Sequence, residues 1–289
     1  MIAIVGPTAA GKSAVGRELA VQCGAEIVAV DAFTIYRGMD IGTATPSPAE
    51  RAVVPHHLIN ELEPEEECTA QWFQARARAV IDEVLSRGRR VVLVGGSGLY
   101  FRAVVDPLEF PPTDAAVRAD LEQRLPDAAS AFTALAVADP VAAQRMDPAN
   151  RRRAIRALEV LEISGQRFSD WRSTWDRFES RYPALQVIGL QVSRGQLGER
   201  ITSRVDAMLD QGFVLEATAL RGRALSRTAA AAIGYAELEE HLDGRCSLAA
   251  ARARIIVRTR QYAARQQRWF TKDPRVRWTS CVDAKVQAL

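Results

Sequence analysis

Residues 6–13, GPTAAGKS, have the spacing of a glycine-rich loop that binds phosphate. In the pattern G-x-x-x-x-G-K-[ST], backbone N–H groups surround a phosphate chain, and the hydroxyl binds Mg²⁺. Lys12 is the only lysine before residue 272 in a chain with three lysines and 35 arginines. A compact ammonium fits between phosphate oxygens where a planar guanidinium does not. We predict a diphosphate- or nucleotide-binding (ATP-type) loop formed by Gly6, Pro7, Thr8, Ala9, Ala10, Gly11, Lys12 and Ser13, with Ser13 as the Mg²⁺ ligand.

Asp31 and Ser97 are the candidate catalytic residues beside this loop. Asp31 follows the apolar segment EIVAV, and Ser97 lies in GGSG after VVLV. Ligands of open α/β sheets bind beyond the carboxyl ends of the strands, where both residues would lie. P-loop ATPases usually place an aspartate after such a strand to hold Mg²⁺ or order water, whereas VVLV ends in glycines and a serine. Asp31 therefore fits a general base for an incoming nucleophile, or else a helix cap or an outer-sphere metal partner.

Basic residues form two clusters in a chain whose formal charge is only +3. Residues 252–277 contain nine Arg or Lys and one acid. On a helix, one face would carry Arg254, Arg258, Gln261, Arg265 and Arg268. The segment NRRRAIRALEV at 150–160 places Arg152 and Arg156 one turn apart. Two solvated helix faces would also explain the pattern, but two clusters favour a polyanionic partner.

Uniformly apolar segments alternate with helices over residues 1–106, which predicts a parallel sheet covered on both faces. The predicted strands are Ile2–Val5, Glu26–Val30, Val91–Val94 and Gln186–Val192, and the predicted helices include Gly11–Cys23, Thr69–Arg87 and much of 195–270. Between 107 and 185, seven prolines punctuate helical segments. We predict an α/β fold: a P-loop NTPase-like core of residues 1–106 and 186–289, with a mainly helical insertion at 107–185.

Composition excludes several other classes of protein. A chain of 289 residues with 48% hydrophobic and 25% charged residues is expected to be globular. No apolar run reaches about 18 residues and no signal peptide is evident, so we expect no membrane segment. The scattered cysteines, Cys23, Cys68, Cys246 and Cys281, are typical of reduced thiols in a cytoplasmic protein. Adjacent His56 and His57 would point to opposite sides of an extended chain, which favours a structural role over metal binding.

Several long blocks resemble the tRNA dimethylallyltransferases (tRNA isopentenyltransferases). With GPTAAGKS they follow the family's order over nearly the whole chain: DAFTIYRGMDIGTATPSPAERAVVPHHLI, VGGSGLYFRAVV, DPANRRRAIRALEV, QGFVLEA, AAIGYAEL and RTRQYAARQQRWF. The resemblance implies transfer of a dimethylallyl group from dimethylallyl diphosphate to N6 of the adenine next to the anticodon, position 37. Diphosphate would be the leaving group, attack would occur at carbon, and we expect a Mg²⁺-dependent monomer.

The resemblance also assigns roles to single residues. Lys12 and Mg²⁺ on Ser13 would stabilise the departing diphosphate, and Asp31 would take a proton from the adenine amine. Ser97 stands where the family has a threonine that reaches the diphosphate or the reacting nucleotide. The implied tRNA contacts are Asp31, Ala32, Phe33, Thr34, Ser97, Arg118, Arg152, Arg153 and Arg156. The helical insertion would grip the anticodon stem-loop, whose unstacked bases can be read.

Two positions depart from the family pattern. Asp31-Ala32-Phe33-Thr34 replaces D-S-M-Q, so that Thr34 stands in place of an amide that contacts RNA. Ala231 replaces an arginine that lies three residues before the later Gly-Tyr, and Arg223 or Arg227 would be the substitutes.

Three other functions would use part of the same pattern. A free-nucleotide isopentenyltransferase acting on AMP or ADP would share the loop and Asp31 but would need neither the insertion nor the basic helix. A small-molecule P-loop kinase should show lid arginines and an acidic pair, which the sequence lacks. A non-enzymatic nucleotide-binding module with RNA affinity would leave Asp31 and Ser97 without a role.

Overall fold

The computed structural model describes residues 1–171 and 177–280. They form two compact units, the larger from Met1–Asp106 together with the chain from Ser180 onward, and the smaller from Pro107–Glu179.

A parallel β-sheet organises the larger unit. Its six strands are β1 Ile2–Val5, β2 Ala25–Ala29, β3 His56–His57, β4 Arg90–Val94, β5 Gln186–Leu190 and β6 Val276–Thr279. They lie in the order β3-β2-β4-β1-β5-β6, and every neighbouring pair is parallel. The α/β prediction is therefore confirmed. The four predicted strands are present within two residues at each end, while β3 and β6 at the sheet edges were not predicted, because β3 has two residues and β6 alternates exposure.

Helices cover both faces of this sheet. They are α1 Lys12–Cys23, α2 Asp40–Thr43, α3 Pro48–Val53, α4 Ala70–Ser86, α5 Gly98–Val105, α10 Arg194–Asp210, α11 Phe213–Ala219, α12 Arg227–Ala230, α13 Tyr235–Leu242 and α14 Leu248–Phe270. Helix α1 packs Val15 and Leu19 against Ile4 on one face, while α4 packs Phe73 against the core on the other. Helices α10, α11, α13 and α14 belong to the same core as α4. Apolar strands buried on both sides are the physical basis of this arrangement.

The start of each predicted helix is fixed by local chemistry. Gly11 at the N-terminus of α1 has φ 96°, a backbone conformation that favours glycine. The Thr69 side chain accepts a hydrogen bond from the Trp72 N–H and caps α4. Both helices begin within one residue of the predicted position for this reason.

The smaller unit is helical and has its own core. Its helices are α6 Ala115–Arg124, α7 Ala128–Ala138, α8 Pro140–Gln144 and α9 Arg151–Ser164. Leu121, Leu135 and Leu158 are among the residues of the core. Residues 180–185, which were expected to belong to the insertion, lie in the larger unit. The Arg181 N–H donates to the Val105 carbonyl at 2.7 Å, and Gln186 N–H to the Met1 carbonyl at 3.1 Å, which ties this segment to the sheet.

Across residues 1–171 and 177–280, none of the helices combines the length and the apolar character needed to span a bilayer.

Candidate active site

The phosphate loop connects β1 to α1 at the carboxyl end of the sheet. Gly6 has φ 134°, and a side chain there would crowd the Leu190 carbonyl, 3.1 Å from the position of a Cβ. The Lys12 Nζ donates a hydrogen bond to the Pro7 carbonyl at 2.8 Å and so curls back over the loop. The N-terminus of α1 follows, where free backbone N–H groups and the helix dipole favour an anion.

Lys12 is more acidic than an ordinary lysine. Burial lowers the pKa of its ammonium to about 8, the nearby Asp31 carboxylate acts in the opposite direction, and Arg204 lowers the pKa further. Removing a cation from water accounts for the shift. An anionic ligand in the loop would favour the protonated form.

Asp31 directly follows Val30 at the end of β2, and its carboxylate turns back on the chain. The Phe33 N–H donates to Oδ1 at 2.9 Å, which fixes the orientation of the carboxylate. Burial raises the pKa of Asp31, while the Phe33 N–H, Lys12 and Arg204 oppose the shift. A carboxylate with a raised pKa accepts a proton more readily, as a general base requires.

The phosphate loop and Asp31 line one cavity of about 150 Å³. Thr8, Lys12 and Ser13 stand on one side, and Asp31, Phe33 and Thr34 continue the wall. A second, open cavity is lined by Lys12, Ser13, Glu199, Arg200 and Arg204. Lys12, Ser13 and Arg204 line both cavities.

Arg204 is a functional candidate that the sequence prediction missed. It lies half-buried on α10, where burial lowers its pKa and the Asp31 carboxylate opposes that shift. Arg204 in turn lowers the pKa of Lys12. In the described part of the chain, no hydrogen bond or ion pair holds its guanidinium, and it lines both cavities. Its only sequence signal was its place on the helix after β5, whose carboxyl end borders the crevice.

Arg223 and Arg227, the expected substitutes for the family arginine at position 231, both pair with acidic residues in this structure. Arg223 pairs with Glu63 and with Glu65 at 2.6 Å, and Arg227 lies 3.7 Å from Glu67. Neither lines the cavity among the described residues. The acidic segment 61–67 therefore holds both arginines. Arg204 lines the cavity at the phosphate loop, and Arg200 of the same helix donates to the Ala10 carbonyl at 3.5 Å.

Ser97 forms a hydrogen bond to the backbone of the segment that follows Asp31. Its Oγ accepts a hydrogen bond from the Ala32 N–H at 3.3 Å and lies 3.5 Å from the Tyr262 hydroxyl. The side chain is buried and does not line the cavity, whereas the neighbouring Gly95 does. Direct contact of Ser97 with a substrate stays a prediction.

Gln266 of α14 joins the two loops that flank the site. Its Oε1 accepts a hydrogen bond from the Thr8 N–H at 2.7 Å, and its Nε2 donates to the Gly96 carbonyl at 3.0 Å. The side chain is only 4% exposed. One buried amide thus fixes the phosphate loop and the glycine-rich loop after β4 relative to each other.

The predicted tRNA contacts near Asp31 differ in their surroundings. Ala32 is buried, while Phe33 lines the cavity with its ring centroid 6.4 Å from that of Tyr262. Thr34 is 8% exposed and lines the cavity, and its Oγ1 has no hydrogen-bond partner among the described residues. A buried hydroxyl without a partner is costly, so a ligand that supplies one would gain from the contact.

In the smaller unit, two of the predicted arginines are held by the protein itself. Glu159 is fully buried and accepts hydrogen bonds from Arg118, while Arg156 lies 3.0 Å from it. Arg156 also donates to the Pro111 and Pro112 carbonyls, both at 2.7 Å. Arg152 and Arg153 are exposed on α9. Arg153 is therefore better placed for an external anion than the pair around Glu159.

The basic face predicted on α14 is partly neutralised by α13. Arg254 pairs with Glu240 at 2.5 Å and Arg258 with Glu237. Arg265 and Arg268 are exposed, and the Arg265 guanidinium lies 5.8 Å from the Tyr262 ring centroid. The residue spacing within α14 could not predict these ion pairs, because the acidic partners lie on another helix, α13.

The groups around Ser13 suit Mg²⁺ bound together with a phosphate ligand. Ser13 is exposed in the first turn of α1 beside Lys12. Within the described ranges, no three His, Cys, Asp or Glu side chains gather into a metal cage. Mg²⁺ commonly keeps several waters and binds through few protein oxygens together with substrate phosphates. The Ser13 hydroxyl beside a diphosphate would meet this requirement.

His56 and His57 form the short strand β3, so both are in the extended conformation expected from the sequence. His57 Nε2 lies 2.7 Å from Glu26, and His56 Nδ1 lies 2.7 Å from the Val54 carbonyl. His56 also lines the cavity, which the sequence did not indicate. Among the described cysteines, Cys23, Cys68 and Cys246 are free thiols, while Cys281 lies outside the described residues.

Comparison with known proteins gives consistent matches. The family model described as IPP transferase matches residues 34–273. A tRNA dimethylallyltransferase from Bifidobacterium animalis subsp. lactis is 46% identical, over 98% of this chain and 83% of the relative. The tRNA isopentenylpyrophosphate transferase structure from Bacillus halodurans is 37% identical with a TM-score of 0.70, covering 97% of this chain and 89% of that one. A eukaryotic dimethylallyltransferase acting on tRNA has a TM-score of 0.83 at 23% identity, covering 97% and 73%, and shows the shared fold.

Proposed function

The chain belongs to the IPP transferase family, with the tRNA dimethylallyltransferases as its relatives, and we propose how its own residues carry out the transfer. A dimethylallyl group passes from dimethylallyl diphosphate to N6 of adenine 37, next to the tRNA anticodon, and diphosphate is released. The observation that supports this assignment is one cavity lined by the phosphate loop, by Arg204 and by the Asp31 carboxylate.

The reaction is a displacement at carbon. The adenine N6 lone pair forms a bond to C1 of the dimethylallyl group, and the bond from C1 to the diphosphate oxygen breaks with its electron pair on that oxygen. One proton leaves N6 for the Asp31 carboxylate. The alkylated adenine stays on the tRNA and diphosphate remains in the loop.

Negative charge builds on the diphosphate as the C–O bond breaks. Lys12, Arg204 and the N-terminus of α1 lie where this charge would develop, and their fixed positions stabilise it without rearrangement. Mg²⁺, for which Ser13 would be the protein ligand, would supply further neutralisation of the diphosphate.

Asp31 meets the requirements of the base. The Phe33 N–H fixes its carboxylate, and burial raises its pKa, so that proton uptake is easier than for an exposed aspartate. An exocyclic adenine amine is a poor nucleophile, and removal of its proton in the transition state favours attack. A positioned base of this kind commonly contributes about 10²–10⁴-fold in rate.

The anticodon stem-loop is the proposed macromolecular substrate. Phe33 and Thr34 line the cavity at the carboxylate, and the buried Thr34 Oγ1 has no hydrogen-bond partner among the described residues. Arg152, Arg153, Arg265 and Arg268 are exposed and suited to the RNA backbone. We place the enzyme in the cytoplasm, acting as a monomer.

The choice of acceptor tests this function. Labelled dimethylallyl diphosphate is offered with an anticodon stem-loop carrying adenine 37, the same stem-loop with guanine 37, AMP, or no acceptor. Label should enter only the adenine stem-loop, because guanine has no amine at position 6. Labelling of AMP at a rate equal to that of the stem-loop would instead establish a free-nucleotide isopentenyltransferase.

A further inference from the structure

One lobe of the cavity is apolar and begins beside Arg204. Met208 follows Arg204 by one turn of α10, so its side chain lies on the same face of the helix. The lobe is defined by the cavity-lining residues that pack in one hydrophobic cluster: Val205, Met208, Phe213, Ala232, Ile233 and Ile255. A ligand whose diphosphate lies at Lys12 and Arg204 therefore has an apolar space for its hydrocarbon chain within one helical turn.

The opposite lobe is chemically different. There Ile27, Ala29 and Val94 stand beside the imidazole of His56. His56 lies near Glu50, Arg17 and Arg51, all of which affect its pKa, while burial lowers that pKa most strongly. Charged neighbours make this lobe the less favourable place for an alkyl chain.

Phe213 closes the apolar lobe as a fixed wall. Its side chain is fully buried, and its ring packs at right angles to Tyr235 with centroids 5.1 Å apart. A Cβ on Gly42 would lie 2.4 Å from the ring, and one on Gly234 would lie 2.5 Å from it. The ring thus rests directly on two glycine backbones and has no space to retreat.

Hydrogen bonds to Glu216 hold the Gly42 backbone and the Tyr235 side chain, both of which contact the ring. The Glu216 carboxylate accepts from the Ile41 N–H at 2.7 Å and from the Gly42 N–H at 2.9 Å. It also accepts from the Tyr235 hydroxyl at 2.8 Å. Glu216 lies one turn after Phe213 on α11, so the same helix supplies the wall and the anchor.

We infer that Phe213 sets the length of the prenyl chain and restricts the donor to a five-carbon allylic diphosphate. The inference rests on the proposed function, since it takes the diphosphate to lie in the phosphate loop. Five further carbons, as in geranyl diphosphate, would meet the Phe213 ring. Close-packed interiors resist such additions because the surrounding side chains must leave their preferred positions.

Direct binding of two donors tests this inference without relying on transfer to RNA. The affinities of dimethylallyl and geranyl diphosphate are measured by calorimetry for the wild-type chain and for Phe213→Leu, Phe213→Ala and Met208→Ala. The wild type should prefer the shorter donor. Each variant should shift the affinity ratio toward geranyl diphosphate by at least about tenfold, the scale at which apolar pockets separate ligands by size.

Val94→Ala is the matched control, because it trims an apolar residue of the opposite lobe. It should leave the affinity ratio unchanged. Met208→Ala leaves Phe213 in place and widens the same lobe. If both Phe213 variants fail to fold, the affinity ratio of Met208→Ala tests the inference. An unchanged ratio in the folded variants, or an equal shift in Val94→Ala, would overturn the inference. Transfer to AMP in place of RNA would contradict the proposed function and leave this ratio informative.

Discussion

Lys12 combines a buried charge with a fixed position. Burial lowers its pKa to about 8, and its Nζ donates to the Pro7 carbonyl at 2.8 Å. A diphosphate brought into the loop favours the protonated lysine, so the pKa should rise on binding. Protonation of Lys12 and binding of diphosphate are therefore linked.

The linkage predicts how affinity depends on pH. The free enzyme loses the Lys12 proton as pH rises above about 8, whereas the complex retains it, so the affinity for dimethylallyl diphosphate should fall in calorimetry. Lys12→Ala should weaken binding by about 1.5–3 kcal/mol near neutral pH and abolish this pH dependence. Arg204→Met is the matched control, since it removes a non-titrating cation and should weaken binding while the pH dependence remains.

A wild-type affinity that stays constant as pH passes through the Lys12 pKa would show that the lysine does not bind the diphosphate.

The lowered pKa of Lys12 also affects the stability of the fold. Folding disfavours the charged lysine, so its contribution to the free energy of unfolding should increase as pH rises from about 8 toward the unfolded value of about 10.4.

Residues of the site were predictable from sequence where one segment contains the whole pattern. The phosphate loop and Asp31 follow strands whose apolar character identifies them, and both line the same cavity. Arg204 and Gln266 come from helices far along the chain, and their types are common on helix surfaces. Only the packing of α10 and α14 against the sheet shows that they reach the loop.

Helix α14 acts on the site through Gln266. The amide satisfies the Thr8 N–H and the Gly96 carbonyl at once, in a position that is almost fully buried. Both loops lie beyond the carboxyl ends of their strands, where backbone groups lack the pairing that a sheet provides. A single side chain of α14 therefore sets the spacing between them.

Loss of this amide should be visible in binding. Gln266→Leu leaves two buried backbone groups without partners, at a cost of about 1–3 kcal/mol each. We expect a lower thermal midpoint and a higher KM for dimethylallyl diphosphate. Gln267→Leu makes the same substitution at the next residue, whose side chain does not join these loops, and should change neither. Equal effects of the two substitutions would assign the loss to α14 as a whole and not to the bridge.

Acidic residues neutralise part of the positive charge in both of the basic clusters that the sequence predicted. Arg254 and Arg258 pair with acids of α13, and Arg118 and Arg156 surround Glu159. Arg153, Arg265 and Arg268 remain exposed. The fold thus divides the arginines into those that hold helices together and those that an RNA backbone can reach.

This division predicts the salt dependence of tRNA binding. Arg265→Ala should lower the slope of log affinity against log salt by about 0.7–0.9, the value for one lost phosphate contact. Arg254→Ala should change the slope less, because Glu240 already neutralises that arginine. The measurement is filter binding of an anticodon stem-loop over a salt series. A larger change for Arg254 than for Arg265 would contradict the division.

The α/β architecture was predictable from alternating apolar strands and helices, as the parallel sheet confirms. The edge strands β3 and β6 escaped prediction because short or half-exposed strands carry little periodic signal. The end of the helical unit at Glu179 depends on hydrogen bonds between distant segments, which no local pattern reveals. Long-range pairing therefore set the limit of the sequence prediction.

The most direct test of the account is single-turnover transfer by Asp31→Asn. Asparagine keeps the shape of the side chain and an oxygen that can accept from the Phe33 N–H, but it cannot take the proton from the adenine amine. The rate of transfer to an anticodon stem-loop should fall about 10²–10⁴-fold, with both substrates still bound, at every Mg²⁺ concentration. A loss below tenfold, or recovery of the rate at high Mg²⁺, would contradict the assignment of Asp31 as the base.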